Sequence, residues 1–265
     1  MIPNEDYGRM CRVLADGQEI EAEIEILNTI YSDPISLNAI AEMPGTDKEG
    51  QVVMMGGHVD SWHAGLGATD NATGAAVMME AVRILQKLGA KPRRTIRIAL
   101  WGGEEQGLLG SRAYVRDHFG NFESPGEEFS ALAAYVNLDA GTGRVRGASV
   151  FGPPEAAAVL RQLLQPFADL GVVGANSIQN RNSSNTDSRS FNLAGLPGIR
   201  LSQDPIEYET DTWHTNLDTH ERVLEGDLKQ CAIVVASLVY HLAIRDDMLP
   251  RFDRASMPPL QSPSP

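Results

Sequence analysis

Gly56-Gly57-His58-Val59-Asp60-Ser61-Trp62, running on through Gly65-Leu66-Gly67-Ala68-Thr69-Asp70-Asn71-Ala72-Thr73-Gly74, is the stretch on which the reading of this chain turns. It follows an apolar run, Val52-Val53-Met54-Met55. It precedes apolar residues at helical spacing: Ala75, Met78, Met79, Val82, Leu85 and Leu88. One histidine and two aspartates therefore sit in a loop beyond a strand, where a rigid scaffold carries its chemistry. A histidine with carboxylates, among small residues that let another group approach closely, is the donor set of a metal site with nitrogen and oxygen ligands. Each residue alone is a weak signal, because a lone Asp such as Asp70 equally caps a helix.

Three further segments repeat the pattern. Residues 95–101 read as a strand that delivers Gly102-Gly103-Glu104-Glu105-Gln106-Gly107, and residues 131–138 as one that delivers Asp139-Ala140-Gly141. Asp211-Thr212-Trp213-His214-Thr215-Asn216-Leu217-Asp218-Thr219 runs into a last helix with Leu224, Leu228, Cys231, Val235, Leu238 and Leu242 on one stripe. Strands alternating with helices predict an α/β fold, three layers α/β/α around a mixed, mostly parallel sheet, which gathers its loops along one edge. His58, Asp70, Glu105, Asp139 and His214 then converge. Two histidines and three carboxylates suit two zinc ions with one shared carboxylate, and Glu104 is left beside a ligand, free to act as a base.

The remaining pattern places a helix at residues 5–17 and a period-two strand at 19–31. Strands follow at 36–43 and 51–58, joined by the polar link 44–50, with a helix at 71–88. Helices are expected at 108–119, 154–170 and 188–193, and strands at 148–152, 171–178 and 198–202. The polar run 179–187 is expected as a loop over the site, and the Pro- and Ser-rich residues 250–265 as disordered or loosely draped. We divide the chain into 1–34, an edge addition or the closing segment of an upstream domain, 35–249, the catalytic domain, and the tail 250–265. A formal charge of −13 over 265 residues argues against nucleic acid and against an anionic membrane surface as partners. No apolar run approaches the roughly 20 residues that span a bilayer, and the first residues are unlike a signal peptide. Cys11 and Cys231 are too few for a disulfide framework and are expected to be buried packing residues.

Gly57–Trp62, Gly67-Ala68-Thr69-Asp70-Asn71, Glu104–Gly107, Asp139–Gly141, Thr186-Asp187 and His214–Thr219, in this order, resemble the co-catalytic zinc aminopeptidase family. Asp60-Ser61-Trp62 and Trp101–Gln106 resemble its carboxypeptidase Q-like branch, whose members are exopeptidases of dipeptides and short peptides. The resemblance implies a zinc exopeptidase fold with two Zn2+ per chain. His58 and Asp139 would hold one ion, Glu105 and His214 the other, and Asp70 both. It implies that Asp60 accepts a hydrogen bond from the free ring nitrogen of His58, that the Asp70-Asn71 peptide is cis, and that Glu104 is the general base. Ser183, Asn185 and Asp187 are candidates for lining the substrate pocket. A short peptide is the expected partner, a homodimer is open, and the family implies a secreted or periplasmic full-length protein. His63 stands where that branch has an acidic residue and is read as a loop histidine; His118, His220 and His241 receive no role. Two rival readings share the fold: a glutaminyl cyclase-like acyltransferase with a single zinc, and a non-catalytic receptor-like relative. The joint presence of His58, Asp139 and Asp70-Asn71 favours two metals and hydrolysis, and no ligand of the set is missing.

Overall fold

From Val52 to its last residue, β2 (Lys48–His58) is buried, and its neighbours lie on both sides of it: β3 (Arg94–Trp101) and β4 (Leu132–Asn137), each pairing parallel to it. This is why its sequence is a continuous apolar run, with no polar alternation. The computed structural model describes residues 2, 4–33 and 35–260. Around the central three strands lie β1 (Ala39–Met43), β5 (Val145–Phe151), β6 (Ala175–Ile178) and β7 (Gly198–Gln203), giving the order β1-β3-β2-β4-β7-β5-β6. Pairings β1–β3 and β5–β7 are antiparallel and the other four parallel, so the sheet is mixed and mostly parallel as expected.

Alternate residues of the strands feed two cores. Val53, Met55, Ile96 and Ile98 pack with α2 (Thr73–Lys87), α4 (Pro154–Leu164) and α6 (Glu225–Ile244) on one face. Val52, Met54, Ala99 and Trp101 pack with Tyr114 of α3 (Leu109–Tyr114) and Phe191 of α5 (Ser188–Ala194) on the other. The three layers follow from that alternation. By length and composition α6 could cross a membrane, contrary to the reading that no run is long enough. Its apolar residues instead pack on the sheet and α2. Cys231 is buried there.

Other expectations change. The helix α1 (Asn4–Ala15) buries none of its residues, and its Cys11 is exposed, so Cys11 is not a packing residue. Residues 19–31 form no strand, and Leu27 and Ile30 are 89% and 90% exposed. Period-two alternation becomes a strand only where a sheet edge offers hydrogen bonds and apolar cover, and among the described residues β1 pairs with β3 alone. Helix α4 stops at Leu164 and continues as a tighter turn, Gln165–Leu170, because Pro166 has no N–H to donate. The strand expected from 171 starts at Ala175, after left-handed Gly171 and Gly174. The tail to residue 260 is irregular but held: the Phe252 ring lies 5.2 Å from that of Phe151, and Arg251 donates to the Phe129 carbonyl (3.1 Å). Residues 261–265 of the expected tail lie outside the described residues.

Candidate metal centre

Strand register brings the site together. His58, the last residue of β2, pairs with Trp101, the last of β3, and Gly56 pairs with Asn137, the last of β4. Three parallel strands thus end side by side, placing His58, Glu104-Glu105 and Asp139 along one edge. Asp70 reaches the same place from a wide helical turn, Ala68–Ala72, that leads into α2, and the Asp70-Asn71 peptide is cis. Asn71 ties this turn to the end of β4: its side chain donates to the Leu138 carbonyl (2.9 Å) and accepts from the Gly74 N–H (3.1 Å). A side chain on Gly74 would meet that same carbonyl and Asn71, so only glycine fits there. His214 projects from the loop before α6, with a left-handed φ of 61°.

The two oxygens of Asp70 face different histidines. Oδ1 lies 3.1 Å from His58 Nε2, which is also 3.3 Å from Asp139 Oδ1, and Oδ2 lies 3.3 Å from His214 Nε2, which is also 3.0 Å from Glu105 Oε2. Ligand atoms about 2.0–2.1 Å from a tetrahedral zinc stand roughly 3.3 Å from one another, so these spacings match the edges of a zinc coordination shell. Asp70 Oδ2, Glu105 Oε1 and Asp139 Oδ1 are buried and without a hydrogen-bond partner, the state of carboxylate oxygens kept for a cation. One donor atom each from His58, Asp70 and Glu105 falls within 4.8 Å of the others. The donors fit a hard or borderline cation.

The supporting residues do more than the sequence indicates. His58 Nδ1 does face Asp60, but its partner is the main-chain carbonyl at 2.9 Å, with the carboxylate at 3.7 Å, which corrects the expected contact. The Asp60 carboxylate instead accepts the N–H groups of Glu104 and Glu105, both at 3.1 Å. It fixes the loop that carries Glu104 and Glu105. Asp218, which the sequence reading left without a role, accepts from the N–H of Thr69 (2.6 Å) and of Asp70 (3.1 Å). Trp62 Nε1 donates to Glu105 Oε2 (2.8 Å). Their signal in the sequence was proximity to His214 and His58 inside the quoted motifs.

Glu104 is 9% exposed. Burial first, then the charge of Asp139, pushes its carboxyl up to about 9 in the cation-free chain, against the opposing charge of His58. Burial and Asp70 push Glu105 up to about 8. On His58 burial opposes a proton, but Asp139, helped by Asp60 and Asp70, holds the ring well above the usual imidazole range. A proton takes the place that a cation would fill.

These groups open onto a cavity of about 600 Å³. Of the expected pocket residues Asn185 lines it; Ser183 and Asp187 do not. Ser183 holds Asn192 Nδ2 through its carbonyl (3.2 Å) and its hydroxyl (3.4 Å). Asp187 is fully buried, its oxygens outside hydrogen-bonding geometry although the Ser111 hydroxyl is near, and burial pushes its carboxyl up to about 7. The sequence marked 179–187 as a polar loop but could not say which of its side chains turn inward. His63 is exposed, and His118 and His241 bond to Glu128 and to the Ser237 carbonyl, away from the cluster.

The sequence profile of peptidase family M28 matches residues 38–239, which contain every residue of this cluster. The chain belongs to peptidase family M28. Among its relatives, carboxypeptidase Q of Mus musculus is 32% identical over 247 residues, covering 93% of this chain and 50% of that protein. The chain therefore spans about half the length of the curated relatives it matches first. Two solved structures of similar fold are the peptidase M28 precursor of Shewanella amazonensis and a zinc aminopeptidase of Bacillus subtilis. The first has a TM-score of 0.71 at 30% identity, over 82% of this chain and 47% of that one. The second has a TM-score of 0.62 at 25% identity, over 83% and 52%. Membership of family M28 fits a metal-dependent peptidase site at this sheet edge.

Proposed function

We propose that this chain is the catalytic part of an exopeptidase that works with two zinc ions and cleaves dipeptides or the terminal residues of short peptides. The observation that carries the reading is Asp70, whose two oxygens each face a different histidine with its own carboxylate. His58 and Asp139 would hold one ion, His214 and Glu105 the other, and Asp70 would bridge. The bound ions would supply Lewis acidity toward the peptide carbonyl and lower the pKa of water.

Glu104 then does the proton work. Its carboxylate takes a proton from the attacking water as the water oxygen bonds to the scissile carbon. It returns that proton to the amine as the C–N bond breaks. For a base, its carboxyl at about 9 is too high in the cation-free chain. Added positive charge alongside favours the carboxylate and brings the group toward neutral pH, where it serves both as base and as acid. Asp60 holds the Glu104 amide and so the place of the base. The family resemblance supports a secreted or periplasmic setting for the full-length protein, which belongs to the same proposal.

The test is release of free amino acids from dipeptides by the zinc-loaded chain. Glu104→Gln keeps the shape and zinc content but lowers kcat by roughly 10²–10⁴-fold. Undiminished cleavage by that variant would remove Glu104 from the role, and absence of dipeptide cleavage by the parent chain would remove the peptidase reading.

A further inference from the structure

The two halves of the metal centre are held by different kinds of contact. On the His58 side the ring is fully buried, its Nδ1 faces the Asp60 carbonyl at 2.9 Å, and Asp139 accepts a hydrogen bond from the Thr186 side chain. On the other side the His214 side chain is 19% exposed and stands on left-handed backbone, and among the described residues no hydrogen bond reaches its Nδ1. Aromatic rings flank it instead, Trp213 at 4.2 Å and Trp62 at 5.5 Å between centroids. A histidine that binds a metal ordinarily donates its second ring nitrogen to a fixed acceptor, which sets the plane of the ring. Here that plane is set by indoles.

Trp62 reaches across this half of the site. Its Nε1 donates to Glu105 Oε2 (2.8 Å), the oxygen that lies 3.0 Å from His214 Nε2. Among the described residues this is the one hydrogen bond to the Glu105 carboxylate, whose Oε1 is buried and has none. An indole N–H can only donate and carries no charge, so it fixes the rotation of the carboxylate and leaves the negative charge for a cation. Two residues earlier, Asp60 accepts the N–H groups of Glu104 and Glu105. The loop after β2 therefore grips Glu105 twice, by its main chain through Asp60 and by its side chain through Trp62. Trp62 is 41% exposed and belongs to neither packed core, so packing of the sheet does not account for an indole at this place.

We propose that Trp62 is a positioning residue for one ion of the pair: its N–H and its ring set the affinity of the His214–Glu105 ion and leave the His58–Asp139 ion almost untouched. This rests on the two-zinc reading and adds that the two ions have separable supports.

The experiment follows zinc binding to the metal-free chain by competition with a chelator, which resolves two stepwise constants. Trp62→Phe keeps a ring beside His214 and deletes the N–H. It is expected to weaken one constant roughly 10- to 100-fold, as for other groups that orient a metal ligand, and to leave the other within about twofold. Trp62→Ala removes the ring as well and weakens the same constant further. His214→Ala abolishes the sensitive ion, and in that background Trp62→Phe shifts the remaining constant by less than about twofold. Melting of the metal-free variants identifies one that has failed to fold, and Trp62→Phe, which exchanges a half-exposed indole for a smaller ring, then carries the test. Two constants in the parent that both persist unchanged in Trp62→Phe overturn the role of Trp62 and leave the two-zinc reading standing. Equal weakening of both constants overturns it as well, since a general loosening of the loop does that. A parent chain that binds a single zinc overturns the two-zinc reading and this inference together.

Discussion

Replacing Asp60 by Asn isolates the contact that holds the loop of Glu104 and Glu105. The Asp60 carboxylate accepts two main-chain N–H groups, from Glu104 and Glu105, each at 3.1 Å, and its side chain is 21% exposed. An amide keeps one acceptor but turns an NH2 toward the second N–H, so one charge-assisted bond becomes neutral and the other becomes a clash of donors. Bonds to charged groups contribute about 1.5–3 kcal/mol each, and the loss here is about 2–4 kcal/mol. For a domain of this size that is about 5–15 °C in melting temperature. Asp60→Asn should also weaken zinc binding roughly 10–100-fold, because Glu105 travels on the same loop. The pH dependence gives a further check. Burial raises the Asp60 carboxyl, but the His58 contact and the two N–H donors outweigh it and hold the carboxyl below the usual range. A depressed folded value means that the stabilisation is complete above the unfolded pKa near 3.9 and disappears as pH falls through the folded value. The gap between parent and variant in thermal scans should therefore be full at neutral pH and shrink in acid below about pH 4. A variant that melts with the parent at neutral pH and binds zinc as tightly would refute this account of the loop.

Three further outcomes follow from the same geometry. Folded, metal-free chains keep protons on Glu104 and Glu105 up to about 9 and 8, whereas unfolded glutamates release them near 4.3. Stability of the metal-free form should therefore fall as pH rises between those values, and the gain in melting temperature on adding zinc should be larger near pH 8 than near pH 5.5; an equal or larger gain at the acid pH would contradict it. Asp218→Ala leaves the buried N–H groups of Thr69 and Asp70 without acceptors, which costs about 2–5 kcal/mol in denaturant unfolding and lowers zinc affinity in a competition assay. Phe191→Ala removes a fully buried ring stacked 4.0 Å from that of Tyr135, and should cost about 3–5 kcal/mol while zinc content per folded chain stays unchanged.

The site was legible because its residues lie at or just past strand ends. His58 ends β2, Glu105 and Asp139 follow β3 and β4, and once these strands are parallel no other information is needed to bring the three together. What the sequence could not supply was the identity of atoms. It placed Asp60 beside His58, but whether carbonyl or carboxylate faces the ring depends on how the backbone turns at 58–60. Asp218 escaped assignment since its partners, Thr69 and Asp70, lie far away along the chain. The alternation of 19–31 misled for the opposite reason. Period two is a local property, whereas a strand needs a neighbour, and the described residues give that segment none.

Zinc titration of the metal-free chain, read by direct metal analysis after removal of free ions, tests the central claim most directly. The account predicts about two zinc ions per chain at saturation, reduced by Asp70→Ala, whose two oxygens face both halves of the site. Saturation at one ion per chain in the parent, with Asp70→Ala binding the same amount, would contradict it.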